Sequence, residues 1–172
     1  MRLYHVSEES DISVFHPRFP TRDDLDPSVG LVWAINEECL PNFLTPRDCP
    51  RVAYHATENT SQGDVDQFFS STFRHVVAIE HGWFESMLST ELYLYEFDPQ
   101  DFYLQDEVAG YYVSESVQKP ISVIKISDLF GKLFDSGVEV RILADLWQLA
   151  DEVQNSTLNW SLCRMRNAVS RK

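Results

Sequence analysis

The chain has 172 residues, 44% of them hydrophobic and 13% aromatic, enough apolar material for one domain with a sizeable core and too much for a disordered chain. Its 14 basic and 27 acidic residues leave a net charge of −13, a field that repels phosphate backbones and argues against a general nucleic-acid binder. The three cysteines, Cys39, Cys49 and Cys163, are odd in number and lack CxxC spacing, so neither a disulfide framework nor a zinc site is expected.

Residues 3–6 read as a short buried strand that ends on a polar, turn-like stretch at 7–11. Residues 12–20 close on His16, Pro17, Arg18, Phe19 and Pro20, extended because each proline restricts the residue before it. A charged loop comes next, at 21–29. Leu31, Val32, Trp33, Ala34 and Ile35 form a second apolar strand. Asn36, followed by Glu37 and Glu38, predicts the N-cap and first turn of a brief helix near 38–44. Pro46 and Pro50 stiffen the loop 45–51, and 52–55 is a third strand. Residues 58–66 are polar and read as a mobile loop, 76–80 are strand-like, and 81–89 fit a turn of helix.

Residues 91–97 alternate cleanly, with Leu92, Leu94 and Glu96 on one face and Tyr93, Tyr95 and Phe97 on the other. Two more strands are predicted at 111–114 and 121–126. Ser127 is placed to cap a helix over 128–134, and Gly137 sits at its C-terminal end. Residues 138–143 alternate, with Glu139 and Arg141 paired on one face. Residues 144–153 have helical spacing, and 156–168 read as a last helix with Leu158, Leu162 and Met165 on one stripe. Runs of strands followed by helices predict one α+β domain over 1–172, with two short, mostly antiparallel sheets and the helices concentrated toward the C-terminus.

No P-loop, GxGxxG, HExxH or GxSxG is present, which removes the commonest NTPase, dehydrogenase, zincin and hydrolase readings. The five histidines lack metal-ligand spacing, so no metal is expected. His5 and Ser7 share one face of the first strand. They either grip an amide or ribose of a ligand, or His5 caps a neighbouring carbonyl while Ser7 starts a turn. Arg18, Arg47 and Arg51 each lie beside or near proline on stiffened backbone, which suits anion recognition; the competing reading is ion pairing with Asp23, Asp24, Asp26 or Asp48. Trp33 and Tyr111 are candidate stacking walls for a planar ring, or ordinary core aromatics.

Several stretches resemble an uncharacterised bacterial family of this length: residues 3–7, 15–18, 32–34, 46–51, 112–115, 137–141, 146–147 and 164–168. A remoter resemblance is to the ADP-ribosyltransferase superfamily. Its first strand carries a histidine followed by a small polar residue that hold the ribose and nicotinamide amide of NAD, matched here by His5 and Ser7 with an offset of one residue. It implies a split pair of sheets, NAD as cofactor, Arg18 at the pyrophosphate, and Trp33 or Tyr111 against the ring. The superfamily's catalytic glutamate precedes a Tyr-hydrophobic-Val run. Here Gly110 stands before Tyr111, Tyr112 and Val113, so a transfer step would hang on a displaced carboxylate, with Glu107 and Glu115 as the nearby candidates.

Beyond Glu152 there is no acidic residue, while Arg164, Arg166, Arg171 and Lys172 all lie past it. This basic segment either pairs within the chain, or serves as a basic helix of a non-catalytic interaction module, for instance in a homodimer. No apolar run is long enough to span a membrane, and residues 1–5 carry no secretory h-region, so a cytoplasmic protein is expected.

Overall fold

The computed structural model describes residues 1–20, 25–70 and 72–171. Part of the predicted charged loop, with Asp23 and Asp24, and the terminal Lys172 lie outside the described residues. In chain order the elements are β1 (Leu3–Ser7), β2 (Val32–Asn36), β3 (Arg51–His55), α1 (Gln62–Phe68), β4 (His75–Glu80), α2 (Phe84–Ser89), β5 (Leu92–Phe97) and β6 (Tyr103–Asp106). They continue with β7 (Tyr111–Ser114), β8 (Ser122–Ile126), α3 (Leu129–Asp135), β9 (Glu139–Leu143), α4 (Trp147–Gln154) and β10 (Asn159–Cys163). The class is α+β with two sheets, as the order of strands and helices predicts.

The chain divides into two compact units. The first, Met1–Leu40 with Leu92–Ile126, holds a sheet in the order β6-β7-β2-β1-β5-β8. Its pairings are antiparallel. One face buries Leu3, Val32, Ala34, Tyr95 and Phe97 beneath Phe15, whose ring stands edge-on to Tyr95 at 5.2 Å and to Phe97 at 5.0 Å. Alternation in β5 is what the pattern predicts: Tyr95 and Phe97 face this core, and Leu92 and Leu94 are buried on the other side.

The second unit, Pro41–Glu91 with the residues from Ser127 on, holds the sheet β10-β3-β4-β9, in which only β4 and β9 are parallel. Val52, Tyr54, Val76 and Ala78 present one face to Phe68, Leu146, Ala150, Val153 and Leu158. Arg141 on β9 donates to Glu139 at 2.7 Å and to the Phe68 carbonyl at 2.6 Å, the paired arrangement their shared face implies.

Gly137 has φ 71° and closes α3 in a Schellman turn: its N–H donates to Phe134 O at 2.9 Å, and that of Val138 to Leu133 O at 3.1 Å. The N-cap of α3 is Asp128 rather than Ser127, with its carboxylate accepting from the Gly131 N–H at 2.8 Å. Asn36 does accept from the Cys39 N–H at 2.9 Å, but the element it leads into is only a 3₁₀ turn, Leu40–Phe43.

Two expectations need correction. Helices are not concentrated at the C-terminus: α1 and α2 come early, α1 arising within the polar stretch read as a loop because the Ser61 hydroxyl caps it by accepting from the Asp64 N–H at 3.1 Å. The stretch 156–168 is not a helix. It forms β10 and a 3₁₀ turn, Met165–Asn167, with Trp160 opposite Tyr54 and Leu162 opposite Val52. Leu158, Trp160 and Leu162 fit a period of two as well as Leu158, Leu162 and Met165 fit a helical one, and pairing with β3 decides between them. The sequence-predicted basic helix is therefore a strand and a turn.

Candidate functional site

The pleat of the six-stranded sheet sorts the candidate residues of the first unit. Leu3 pairs with Asn36 and Tyr4 with Ile35, so His5 and Ser7 share the face of Val32, Ala34 and Asn36. Trp33, two residues before Ile35, lies on the opposite face. Tyr111 pairs with Ile35 and Val113 with Trp33, which puts both of these β7 residues on the Trp33 face as well. The resemblance sets His5 and Ser7 around one ligand with Trp33 or Tyr111; in this register the first two and the last two are separated by the sheet.

On their own face His5 and Ser7 have structural partners. The ring of His5 packs 4.9 Å from Phe15, and its Nδ1 lies 3.0 Å from the Trp33 carbonyl, to which the N–H tautomer donates. Ser7 Oγ accepts from the Glu9 N–H at 3.1 Å and starts the turn after β1. That loop is held from the sheet by Tyr95, whose hydroxyl donates to Glu9 O at 2.5 Å.

The opposite face gathers the rest. The rings of Trp33 and Tyr111 meet edge to face at 5.3 Å, and both residues are half-buried. Tyr103 on β6 pairs with Val113, which in turn pairs with Trp33, giving a cross-strand row. The Tyr103 hydroxyl donates to Glu115 Oε1 at 3.1 Å; partial burial raises the phenol's pKa, and this contact adds to the rise. Arg18 exchanges backbone hydrogen bonds with Leu31, at 3.1 and 2.9 Å. Antiparallel partners share a face, so exposed Arg18 emerges on the side of Leu31 and Trp33, opposite the residue two before the tryptophan. Arg18, Trp33, Tyr111 and Glu115 thus stand on one surface.

Glu107 is exposed in the turn between β6 and β7, where its carbonyl accepts from the Gly110 N–H at 3.3 Å. Gly110 itself has φ 67°, and a Cβ there would come within 2.6 Å of Asn36 Oδ1 and 2.7 Å of Cys39 Cβ. Only glycine fits a left-handed backbone pressed this closely. Position 110 has no room for a glutamate.

Arg47 and Arg51 belong to the second unit. Arg51, 5% exposed, donates from Nε to Asn42 O at 2.6 Å and from Nη1 to Cys49 O at 3.1 Å, with its guanidinium 5.3 Å from the Phe43 ring centre. It staples the loop rather than presenting an anion site. One grouping escaped the sequence reading: His55 and His75 are opposite each other across β3 and β4, with ring centres 5.1 Å apart. His75 Nε2–H donates to Asn42 Oδ1 at 2.6 Å. Burial, helped by the neighbouring His55, pushes the His75 pKa down to about 4. Two histidines at the ends of mainly apolar strands were the available signal, but their pairing depends on register.

Residues 4–168 match the model of one protein family, whose description reads Family of unknown function (DUF6886). No curated protein and no solved structure matches the chain.

Proposed function

The chain belongs to that family of unknown function, and we propose that its six-stranded unit binds a nucleotide, NAD or a close relative, without carrying out transfer. The observation that supports this reading is the shared face of Trp33, Tyr111, Arg18 and Glu115. A half-buried aromatic pair accepts a planar ring, and an arginine on the same face accepts an anionic group. Glu115, already engaged by the Tyr103 hydroxyl, is placed to accept from a ribose hydroxyl. The proposal leaves His5 and Ser7 as supports of the sheet. It also leaves out transfer, because the position that precedes the Tyr-Tyr-Val run is a glycine with no room for an acid.

Thermal denaturation with NAD or ADP-ribose tests this, since a ligand that binds only the native state raises Tm by mass action. The expected result is a rise at millimolar ligand that Trp33→Ala removes, Arg18→Gln diminishes and His5→Ala retains. No shift with either ligand sinks the binding reading. Release of nicotinamide that Glu115→Gln abolishes would overturn the exclusion of transfer.

A further inference from the structure

In the second unit the chain beyond β10 is held by three other segments. Arg164 turns it with φ 55°, the one positive φ outside glycine among the described residues and a strained conformation for arginine. Arg164 Nε donates to Arg47 O at 3.1 Å, and Asn167 Nδ2 donates to Asp48 O at 2.7 Å. The Val169 N–H then donates to both carboxylate oxygens of Glu80, at 3.0 and 3.2 Å. The Val169 carbonyl accepts from Trp147 Nε1 at 2.7 Å. Arg171 pairs with Asp151, and its guanidinium lies 5.3 Å from the Trp147 ring centre.

Glu80 carries the weight of this arrangement. It is 3% exposed, at the end of a core strand, and among the described residues both of its hydrogen bonds come from the Val169 amide. A buried carboxylate demands such donors. Here they come from main chain 89 residues away, not from a side chain or a helix end. With Trp147 on the carbonyl, both backbone groups of one residue are read, whatever its side chain is. This is how sites for extended peptides obtain affinity, while flanking side-chain contacts give specificity. The flanking contact is an arginine two residues on, met by a carboxylate and an indole face. The segment is basic and the rest of the chain strongly acidic, which draws such a peptide in.

We propose that the groove formed by Glu80, Trp147, Asp151 and the backbone at Arg47 and Asp48 is a recognition site for an extended basic segment of a partner protein, with the chain's own residues 165–171 sitting in it as a strap. The site takes any residue except proline at the Val169 position, because proline has no N–H for Glu80, and arginine or lysine two positions later. The strained backbone at Arg164 is the hinge on which the strap leaves.

The test uses the full chain carrying Val169→Pro, which disables the strap, and a fluorescent peptide with the sequence of residues 164–172. Anisotropy is expected to show saturable binding at least tenfold tighter than to the unsubstituted chain, weakening as salt rises. A peptide with glutamate at the Arg171 position, or the added Glu80→Gln substitution, is expected to lose at least tenfold. A well-folded Val169→Pro protein that does not bind at millimolar peptide overturns the proposal. Hydrogen exchange on the unsubstituted chain supplies a second measurement should that variant not fold. The Val169 amide is expected to exchange at least a hundredfold faster than those of Val52 and Leu162, and equal rates would mean that the strap opens only on global unfolding and overturn the proposal. Light scattering that shows a doubled mass abolished by Glu80→Gln would assign the groove to the strap of a second copy and overturn the partner reading.

Discussion

His5 is bonded to Trp33 through the backbone and separated from it by the sheet: Nδ1 lies 3.0 Å from the Trp33 carbonyl, while the indole points to the other face and meets Tyr111 at 5.3 Å. The histidine therefore supports the strand that displays the tryptophan. His5→Ala removes the hydrogen bond to the Trp33 carbonyl and the ring contact with Phe15, and is expected to lower stability by about 1–2 kcal/mol. Denaturant titration measures that loss. A normal ligand response in the same variant would separate support from binding.

Gly110 makes a sharper prediction. Its φ of 67° and the 2.6 Å approach to Asn36 Oδ1 act against any side chain. Alanine there is expected to cost at least about 2 kcal/mol, from the left-handed backbone and the displacement of Asn36 and Cys39. Glutamate, the residue that the transferase resemblance would install, is expected to cost more and to restore no activity. Equilibrium unfolding of both variants checks the order, and a Gly110→Glu protein as stable as the original would overturn the packing argument.

Legibility in the sequence depends on the range of the interactions involved. The alternation of β5, the pair Glu139 and Arg141, and the glycine that closes α3 are local, and they read correctly from neighbours along the chain. The identity of β10 was not legible, because its apolar spacing satisfies two periods and only the distant partner β3 chooses. The same limit applies to the candidate site. The residue types and their strands could be read, but the face each occupies depends on Leu3 meeting Asn36 and Tyr4 meeting Ile35. A slip of one residue would have put His5 beside Trp33. The pairing of Glu80 with Val169 is likewise a fact of folding that no local pattern announces.

The three cysteines should separate by reactivity. Burial raises the thiol of Cys39 to about 11 and that of Cys49 to about 12, and both residues are buried. A thiolate is the reactive species, so neither reacts readily near pH 8. Cys163, half-buried at the end of β10 with its sulfur 3.3 Å from Ser161 Oγ, is the accessible one. Titration with a chromogenic disulfide is expected to count one fast thiol in the native protein and three after denaturation. Cys163→Ser should remove the fast one, and a fast thiol surviving that substitution would contradict the assignment.

The histidine pair of β3 and β4 sets an acid limit on the second unit. His75 is neutral in the folded protein, donating Nε2–H to Asn42, with its pKa near 4 because burial and the facing His55 both oppose its charge. In the unfolded chain the same ring titrates near 6.5. Above 6.5 both states are neutral and the shift costs no stability. As pH falls from 6.5 to 4 the unfolded chain takes up a proton that the folded one refuses, so stability drops by up to about 3 kcal/mol from this residue. Below 4 the loss is complete. His75→Gln keeps an amide donor for Asn42 but does not titrate. The stability of the unsubstituted protein relative to this variant should fall across that window and stay flat above pH 7. Parallel stability profiles from pH 7 to 4 would show that His75 is not the group responsible.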